Sequence, residues 1–206
     1  MVESDTGTVE PLELLERWLL EAQQAGVSAP RAMTLATAMA DGRPSARLVT
    51  LKELAGEALV FTTALWSRKV EELRGNPRVA ATFYWPALGR QARVEGRAEI
   101  AERELAEKLF EGRPRSHQLQ AHVSRQGEEI GSLDELRARL GALQAELGDA
   151  PVPCPEDWGA VRVIPDRIEF WEEAEDRLHS RRLFERDEQG WSRSLLAPSL
   201  RPPDST

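Results

Sequence analysis

Three groups of cationic residues stand out in an otherwise acidic chain. The segment "DRLHSRRLF" packs Arg177, His179, Arg181 and Arg182 into a few residues. As a β-strand, its period of two would put Arg177, His179 and Arg181 on one face. Such a row, with an imidazole that can donate, accept or carry a proton, points to an anion. A charged strand edge that discourages aggregation has the same composition. The second group is Arg47 and Lys52 in "ARLVTLK", and the third is Ser67, Arg68 and Lys69 after "LVFTT". The third group opens a predicted helix, where free backbone N–H groups and the positive dipole end suit a phosphate; a solvated cap is the plainer reading. In "SRQGEE", Gln126 offers an amide beside Gly127, where a backbone can approach a ligand.

The composition limits what that anion can be. Asp and Glu number 35 against 27 Lys and Arg, a net charge of −8, which argues against a general nucleic-acid binder and for a small, locally held anion. At 206 residues and 41% hydrophobic, the chain can bury the core of one domain. The single cysteine, Cys154 in "PVPCPED", excludes an internal disulfide and fits a reducing compartment, so cytoplasm is expected. "MVESDTGTVEP" lacks a basic region followed by an apolar stretch, and no apolar run approaches membrane-spanning length. There is no G-x-G-x-x-G, P-loop or G-x-S-x-G motif, and His117, His122 and His179 lack zinc spacing, so no metal is expected.

The elements that must position these groups follow from periodicity. From Pro11 to Gly26, Leu12, Leu15, Leu19 and Ala22 recur at helical spacing. Residues 32–100 break into "AMTLATAMA", "SARLVTLKEL", "ALVFTTA", "RVAATFYW" and "RQARVEGRAEI", separated by the turn-like "DGRP", "AGE" and "PALG" and by a short helix in "SRKVEELRGNP". Consecutive hairpins predict an antiparallel sheet closing toward a barrel. Residues 101–148 return to helix, the last one marked by a Ser132/Glu135 capping box and by Leu136, Leu140, Leu143 and Leu147, which suggest core or subunit packing. After a linker, "GAVRVIP", "RIEFWEE", "RLHSRRLFER" and "GWSRSLL" read as four strands. Residues 1–10 and 197–206 read as loose ends of one domain spanning 1–206.

The order of "AMTLAT", "RLVTLK", "VFTTALWSRK", "NPRV", "RQARVEGRAE", "SRQ", "IEFW" and "RLHSR" resembles the pyridoxamine-5′-phosphate oxidase family over Pro11–Leu196. The resemblance implies an α+β antiparallel split β-barrel with peripheral helices, and a homodimer with FMN at the interface. It implies Arg47 and Lys69 at the flavin phosphate, with Arg68 and Thr63 nearby and Thr62 where the family usually has an aromatic. The backbone from Arg47 through Leu48 and Val49 to Lys52 would run along the flavin. Gln91, Gln126, Gly127, Trp171 and Arg181 would complete the FMN set. For the substrate it implies Lys52 and Arg113 at a phosphate, and Arg177 and His179 over the ring as the catalytic pair. Leu109 and His117 stand where the family has a tyrosine and a serine. The expected activity is oxidation of pyridoxine or pyridoxamine 5′-phosphate to pyridoxal 5′-phosphate, with O2 as acceptor and hydrogen peroxide as product. A related oxidase acting on another ring, as in phenazine biosynthesis, and a non-catalytic flavin-binding protein are the alternatives. No nucleic-acid or membrane partner is expected.

Overall fold

The computed structural model describes residues 10–198. The loose ends expected at 1–10 and 197–206 fall almost entirely outside the described residues.

Helix α1 (Pro11–Gln24) starts with a proline in its first turn, where no intrahelical N–H bond is lost, and buries Leu14, Leu15, Trp18, Leu19 and Ala22 along one stripe. There follow β1 (Ala32–Ala38), β2 (Pro44–Thr50), β3 (Glu53–Ala55), β4 (Ala58–Ala64), α2 (Arg68–Gly75), β5 (Arg78–Trp85) and β6 (Arg90–Ile100). Helices α3 (Arg103–Glu111), α4 (Arg115–Val123) and α5 (Leu133–Leu147) come next, then β7 (Trp158–Glu172), β8 (Ser180–Asp187) and β9 (Gly190–Leu195).

All strand pairings are antiparallel, and the main path runs β2-β1-β5-β6-β7-β4-β3, with β8 and β9 continuing from β7. The strands β2 and β3 lie at opposite ends of that path yet are joined by Leu51 and Lys52 alone. The sheet must therefore curl until its ends meet: Leu51 N–H donates to Arg31 O at 2.9 Å beside β1, and the N–H of the next residue, Lys52, donates to Val60 O at 2.7 Å on β4. Inside the curl, Trp18 of α1 meets Phe170 edge-on at 4.9 Å and Trp85 at 6.1 Å, in one core with Met33, Leu35, Phe61, Phe83 and Ile168. This is the closing antiparallel sheet that the hairpin pattern predicted and, with its peripheral helices, the half-barrel that the resemblance implied.

Three readings change. "GAVRVIP" and "RIEFWEE" form one strand, β7, because Pro165 sits at a bulge rather than a break; the β6–β7 register shifts between Glu95 and Gly96. "SARLVTLKEL" is two strands, since the closure bends the chain at Leu51–Lys52. Arg177 and His179 are both outside any strand: Arg177 has φ +64° in a turn and β8 begins only at Ser180, so neither shares a strand face with Arg181. In α5, Ser132 Oγ accepts from Glu135 N–H at 3.2 Å, and Leu140, Leu143 and Leu147 pack half-buried on Phe110, Leu119 and Val152.

The bulge depends on Gly96, where a Cβ would lie 2.2 Å from the Ile164 carbonyl oxygen and 2.8 Å from Pro165 Cα. Both obstacles are backbone, which cannot rotate aside. Gly96→Ala should lower unfolding free energy by about 2–4 kcal/mol in urea denaturation. A loss below about 0.5 kcal/mol would show that the bulge yields freely.

Candidate functional site

Sheet closure places β2, β4, the start of α2 and α4 around a cleft of about 490 Å³. Its lining includes Arg47, Leu48, Val49, Lys52, Thr62, Thr63, Lys69, Gln126, Arg113 and His117, all expected from sequence. Trp66, Gln120, Ser124 and Trp158 also line it and were not anticipated. Arg68 stands beside it on α2, and Gly127 adjoins Gln126 with φ +96° and open space where a Cβ would point.

The cations here are held in two ways. On the β1–β2 hairpin, Thr37 pairs with Ser45 and Leu35 with Arg47, so period two brings Thr37, Ser45 and Arg47 together beneath α2. From α2, Glu72 points into this group with only 1% of its surface exposed. Its Oε2 accepts from Arg47 Nη2 at 3.0 Å and its Oε1 from Arg68 Nε at 2.8 Å, and both oxygens accept from Ser45. Thr37 donates to it as well. Burial works against its charge, but the hydrogen bonds from Thr37, Ser45, Arg68 and Arg47 outweigh it and hold the carboxyl pKa down to about 2.

Lys69 is 6% exposed and donates to Thr63 Oγ1 at 3.0 Å and Gln126 Oε1 at 3.1 Å. Desolvation, then the Arg47 charge, lower its pKa against the opposing pull of Glu72. Ser67 does not cap α2 with its side chain; its hydroxyl lies 3.3 Å from Thr63 Oγ1 instead. Across the cleft, the Arg113 guanidinium lies 4.1 Å from the Trp158 ring centroid and 5.6 Å from that of Phe110. Desolvation lowers the Arg113 pKa, and desolvation followed by the Arg113 charge lowers that of Lys52. Among the described residues, neither Lys52, Lys69 nor Arg113 has a carboxylate partner, and the buried Arg113 Nη1 and Trp158 Nε1 have no hydrogen-bond partner at all. This donor set fits an anionic ligand with more than one acceptor. Leu109 is absent from the lining, because it packs on Val60, Leu105, Ala106 and Ala160.

A second group forms elsewhere on the sheet, and none of it lines the cleft. Gln91, Trp171 and Arg181 sit opposite one another across β6, β7 and β8. Arg181 Nε donates to Glu169 Oε1 at 2.7 Å, and the 4%-exposed Glu169 also accepts from Arg93 at 3.2 Å and raises the Arg181 pKa. The His179 ring lies 4.8 Å from Trp171. Its Nδ1 accepts from Ala174 N–H at 3.2 Å, so the neutral ring carries its proton on Nε2. The turn that presents Arg177 is tied by Leu178 N–H to Asp176 Oδ1 at 2.8 Å. Arg177 and His179 face an open groove with Pro86–Leu88, Gly89 and Glu173–Glu175. Among the described residues, no group of three or more His, Cys, Asp or Glu could hold a metal ion, and no helix is long and apolar enough to cross a membrane.

Comparisons with known proteins bear on both groups. A family model described as pyridoxamine 5′-phosphate oxidase matches residues 19–145, and one described as the pyridoxine 5′-phosphate oxidase C-terminal dimerisation region matches residues 158–198. A pyridoxine/pyridoxamine 5′-phosphate oxidase of Rubrobacter xylanophilus is 47% identical over 194 residues, covering 94% of this chain and 89% of the relative. One from Thermosynechococcus vestitus is 42% identical over 198 residues, covering 96% and 93%. Among solved structures, PhzG from Burkholderia lata 383, in complex with tetrahydrophenazine-1-carboxylic acid, aligns with a TM-score of 0.90 at 35% identity over 96% of this chain and 97% of that one. A pyridoxamine 5′-phosphate oxidase-related, FMN-binding protein of Nostoc punctiforme shares the fold, with a TM-score of 0.76 at 19% identity over 93% and 100%.

The buried carboxylate gives a pH signature. Since the folded-state pKa of Glu72 lies below its ordinary value of 4.5, its charge stabilises the fold above that value, and the contribution is lost as pH falls toward 2. The stability difference between wild type and Glu72→Gln should shrink by about 3 kcal/mol between pH 6 and pH 2, followed by denaturant titration. A difference that does not change with pH would mean that the carboxylate titrates normally.

Proposed function

The chain belongs to the pyridoxamine 5′-phosphate oxidase family, and from that premise we propose that it is an FMN-dependent oxidase converting pyridoxine or pyridoxamine 5′-phosphate to pyridoxal 5′-phosphate. The observation that carries this reading is the single cleft that joins Arg47, Thr63, Lys69 and Gln126 to Lys52 and Arg113. It offers two sets of cations, one for a cofactor phosphate and one for a substrate phosphate.

Bound FMN would accept a hydride from C4′ of the substrate and pass two electrons to O2, giving hydrogen peroxide. Lys69 and Arg47 bind the cofactor phosphate, with Arg68 and Thr63 beside it. The backbone of Arg47–Lys52 and the side chain of Gln126 flank the ring system. Lys52 and Arg113 grip the substrate phosphate, and His117 lies at the rim of the same wall. His179, fixed with its proton on Nε2, donates to the substrate ring, and Arg177 places a positive charge over it. The Gln91, Trp171 and Arg181 row completes the cofactor site.

That row and the Arg177/His179 turn do not line the cleft of their own chain, and all but Gln91 lie within the matched dimerisation region. The protein accordingly works as a homodimer in which the cleft of one protomer meets the row and turn of the other, with FMN between them. Its single free cysteine suits the cytoplasm.

A second reading, oxidation of another ring, draws on the likeness to PhzG and on Leu109 and His117. Retention of Lys52 and Arg113 favours a phosphorylated substrate instead.

Anaerobic mixing of FMN-loaded protein with pyridoxine 5′-phosphate should bleach the flavin absorption, and air should restore it. A flavin that stays oxidised with this substrate but bleaches with a phenazine precursor would favour the second reading, and one that no candidate reduces would indicate binding alone. For the shared site, Lys69→Met and Arg177→Ala homodimers should each turn over poorly, whereas co-refolded mixtures should regain activity because each heterodimer contains one site free of both substitutions. Mixtures no better than the parents would place the whole site in one chain.

A further inference from the structure

Glu72 does more than tie a helix to a sheet, and the reason lies in which donors it occupies. Arg47 has five N–H directions. Its Nη1 donates to Leu35 O and Thr37 Oγ1, and its Nη2 to Ser45 Oγ and Glu72 Oε2, which leaves Nε–H. Arg68 is bound the other way round: its Nε donates to Glu72 Oε1, which leaves both Nη groups on a side chain that is 63% exposed. One carboxylate thus takes a terminal nitrogen of one guanidinium and the inner nitrogen of the other. The remaining donors are complementary, a single N–H from Arg47 and a fork from Arg68. Lys69, one residue along α2, is part of the same charge group and lines the cleft.

The geometry points to Glu72 as the positioning residue for cofactor-phosphate recognition: it fixes the orientation of Arg47 and Arg68 and lets these two guanidinium groups stand beside Lys69 before any phosphate arrives. The inference rests on the FMN reading above. Three like charges around one strand and one helix turn repel one another, and a fully buried carboxylate offsets part of that repulsion without presenting itself to the ligand. Hydrogen bonds from two arginines, a serine and a threonine keep it ionised in that role.

Charge alone would act in the opposite direction. Removing a nearby negative charge strengthens anion binding, whereas removing an anchor for two arginines weakens it. Glu72→Gln keeps the shape and can still accept from Ser45 or Thr37, but it lacks the charge and turns an N–H2 group toward one of the guanidinium groups.

Dissociation constants for FMN and riboflavin, which differ only by the phosphate, should be measured by flavin fluorescence quenching on wild type and Glu72→Gln. Wild type should prefer FMN by about a hundredfold or more. Glu72→Gln should reduce that preference about tenfold, with riboflavin affinity changed by less than about twofold. An unchanged or increased preference, or equal weakening of both ligands, would overturn the inference and leave Glu72 as a structural tie. A wild type that does not distinguish the two ligands would overturn the phosphate reading itself, a separate failure. Should Glu72→Gln not fold, Ser45→Ala, which removes the hydroxyl shared by Glu72 and Arg47, should lower the preference about threefold; no change there would count equally against the role.

Discussion

The two-residue link between β2 and β3 governs this structure. The strands lie at opposite ends of a seven-strand path, and Leu51 with Lys52 spans the gap between them. Two extended residues reach roughly 7 Å, so the sheet has no flat solution available. Curling brings β2 near β4 and the start of α2, which is where Arg47, Thr63 and Lys69 line one cleft. The linker itself carries Lys52 into the same cleft. The curl also encloses the apolar stripe of α1 and allows Trp18, Trp85 and Phe170 to pack edge to face. Gly96 makes a related contribution at the β6–β7 bulge, where close backbone contact accompanies the register shift between the two strands.

Within that frame, cations are sorted by partner. Most arginines of this acidic chain meet carboxylates: Arg90 with Glu21 and Glu172, Arg93 and Arg181 with Glu169, Arg167 with Glu95 and Glu185. Lys69 meets a hydroxyl and an amide instead, Arg113 meets aromatic faces, and Lys52 lies in the same cleft with no ion pair among the described residues. Leaving three cations without a direct ion-pair partner among the described residues, with Glu72 acting on Lys69 only at longer range, costs solvation energy that the chain could have avoided. The sorting therefore marks the cleft more sharply than its shape does.

Much of this could be read from sequence because it depends on local pattern. The stripe of α1, the hairpins flanking "DGRP" and "PALG", and the cations of β2 and α2 are set by spacing and turn chemistry. The failures involve long-range geometry. Pro165 resembles a strand end, and only pairing with Gly96 reveals a bulge inside β7. Arg177 and His179 alternate with Arg181 in sequence, but a left-handed turn at Arg177, braced by Asp176, keeps both ahead of the strand, which begins at Ser180. Glu72 lies in "VEELRG" and resembles any exposed helix acid; its burial depends on Thr37 and Ser45, 35 and 27 residues away. Trp158 gave no signal either, since its role comes from stacking with an arginine on another element. Leu109, which looked like a missing ligand, is an apolar packing residue outside the cleft.

The two ways of holding an arginine suit two kinds of ligand. A guanidinium anchored by a buried carboxylate, as Arg47 is by Glu72 and Arg181 by Glu169, is fixed in direction. That arrangement favours a resident group that is bound once and kept, because the orientation cost is met during folding rather than at binding. A guanidinium stacked on aromatic faces, as Arg113 is on Trp158 and Phe110, is confined to a plane while its N–H edge stays uncommitted. That arrangement favours a ligand that must arrive and leave on every turnover, because no internal carboxylate competes with its phosphate. For these arginines the division follows the two ligands of the proposed reaction, with Arg47 and Arg181 on the cofactor side anchored by acids and Arg113 on the substrate side by aromatic rings.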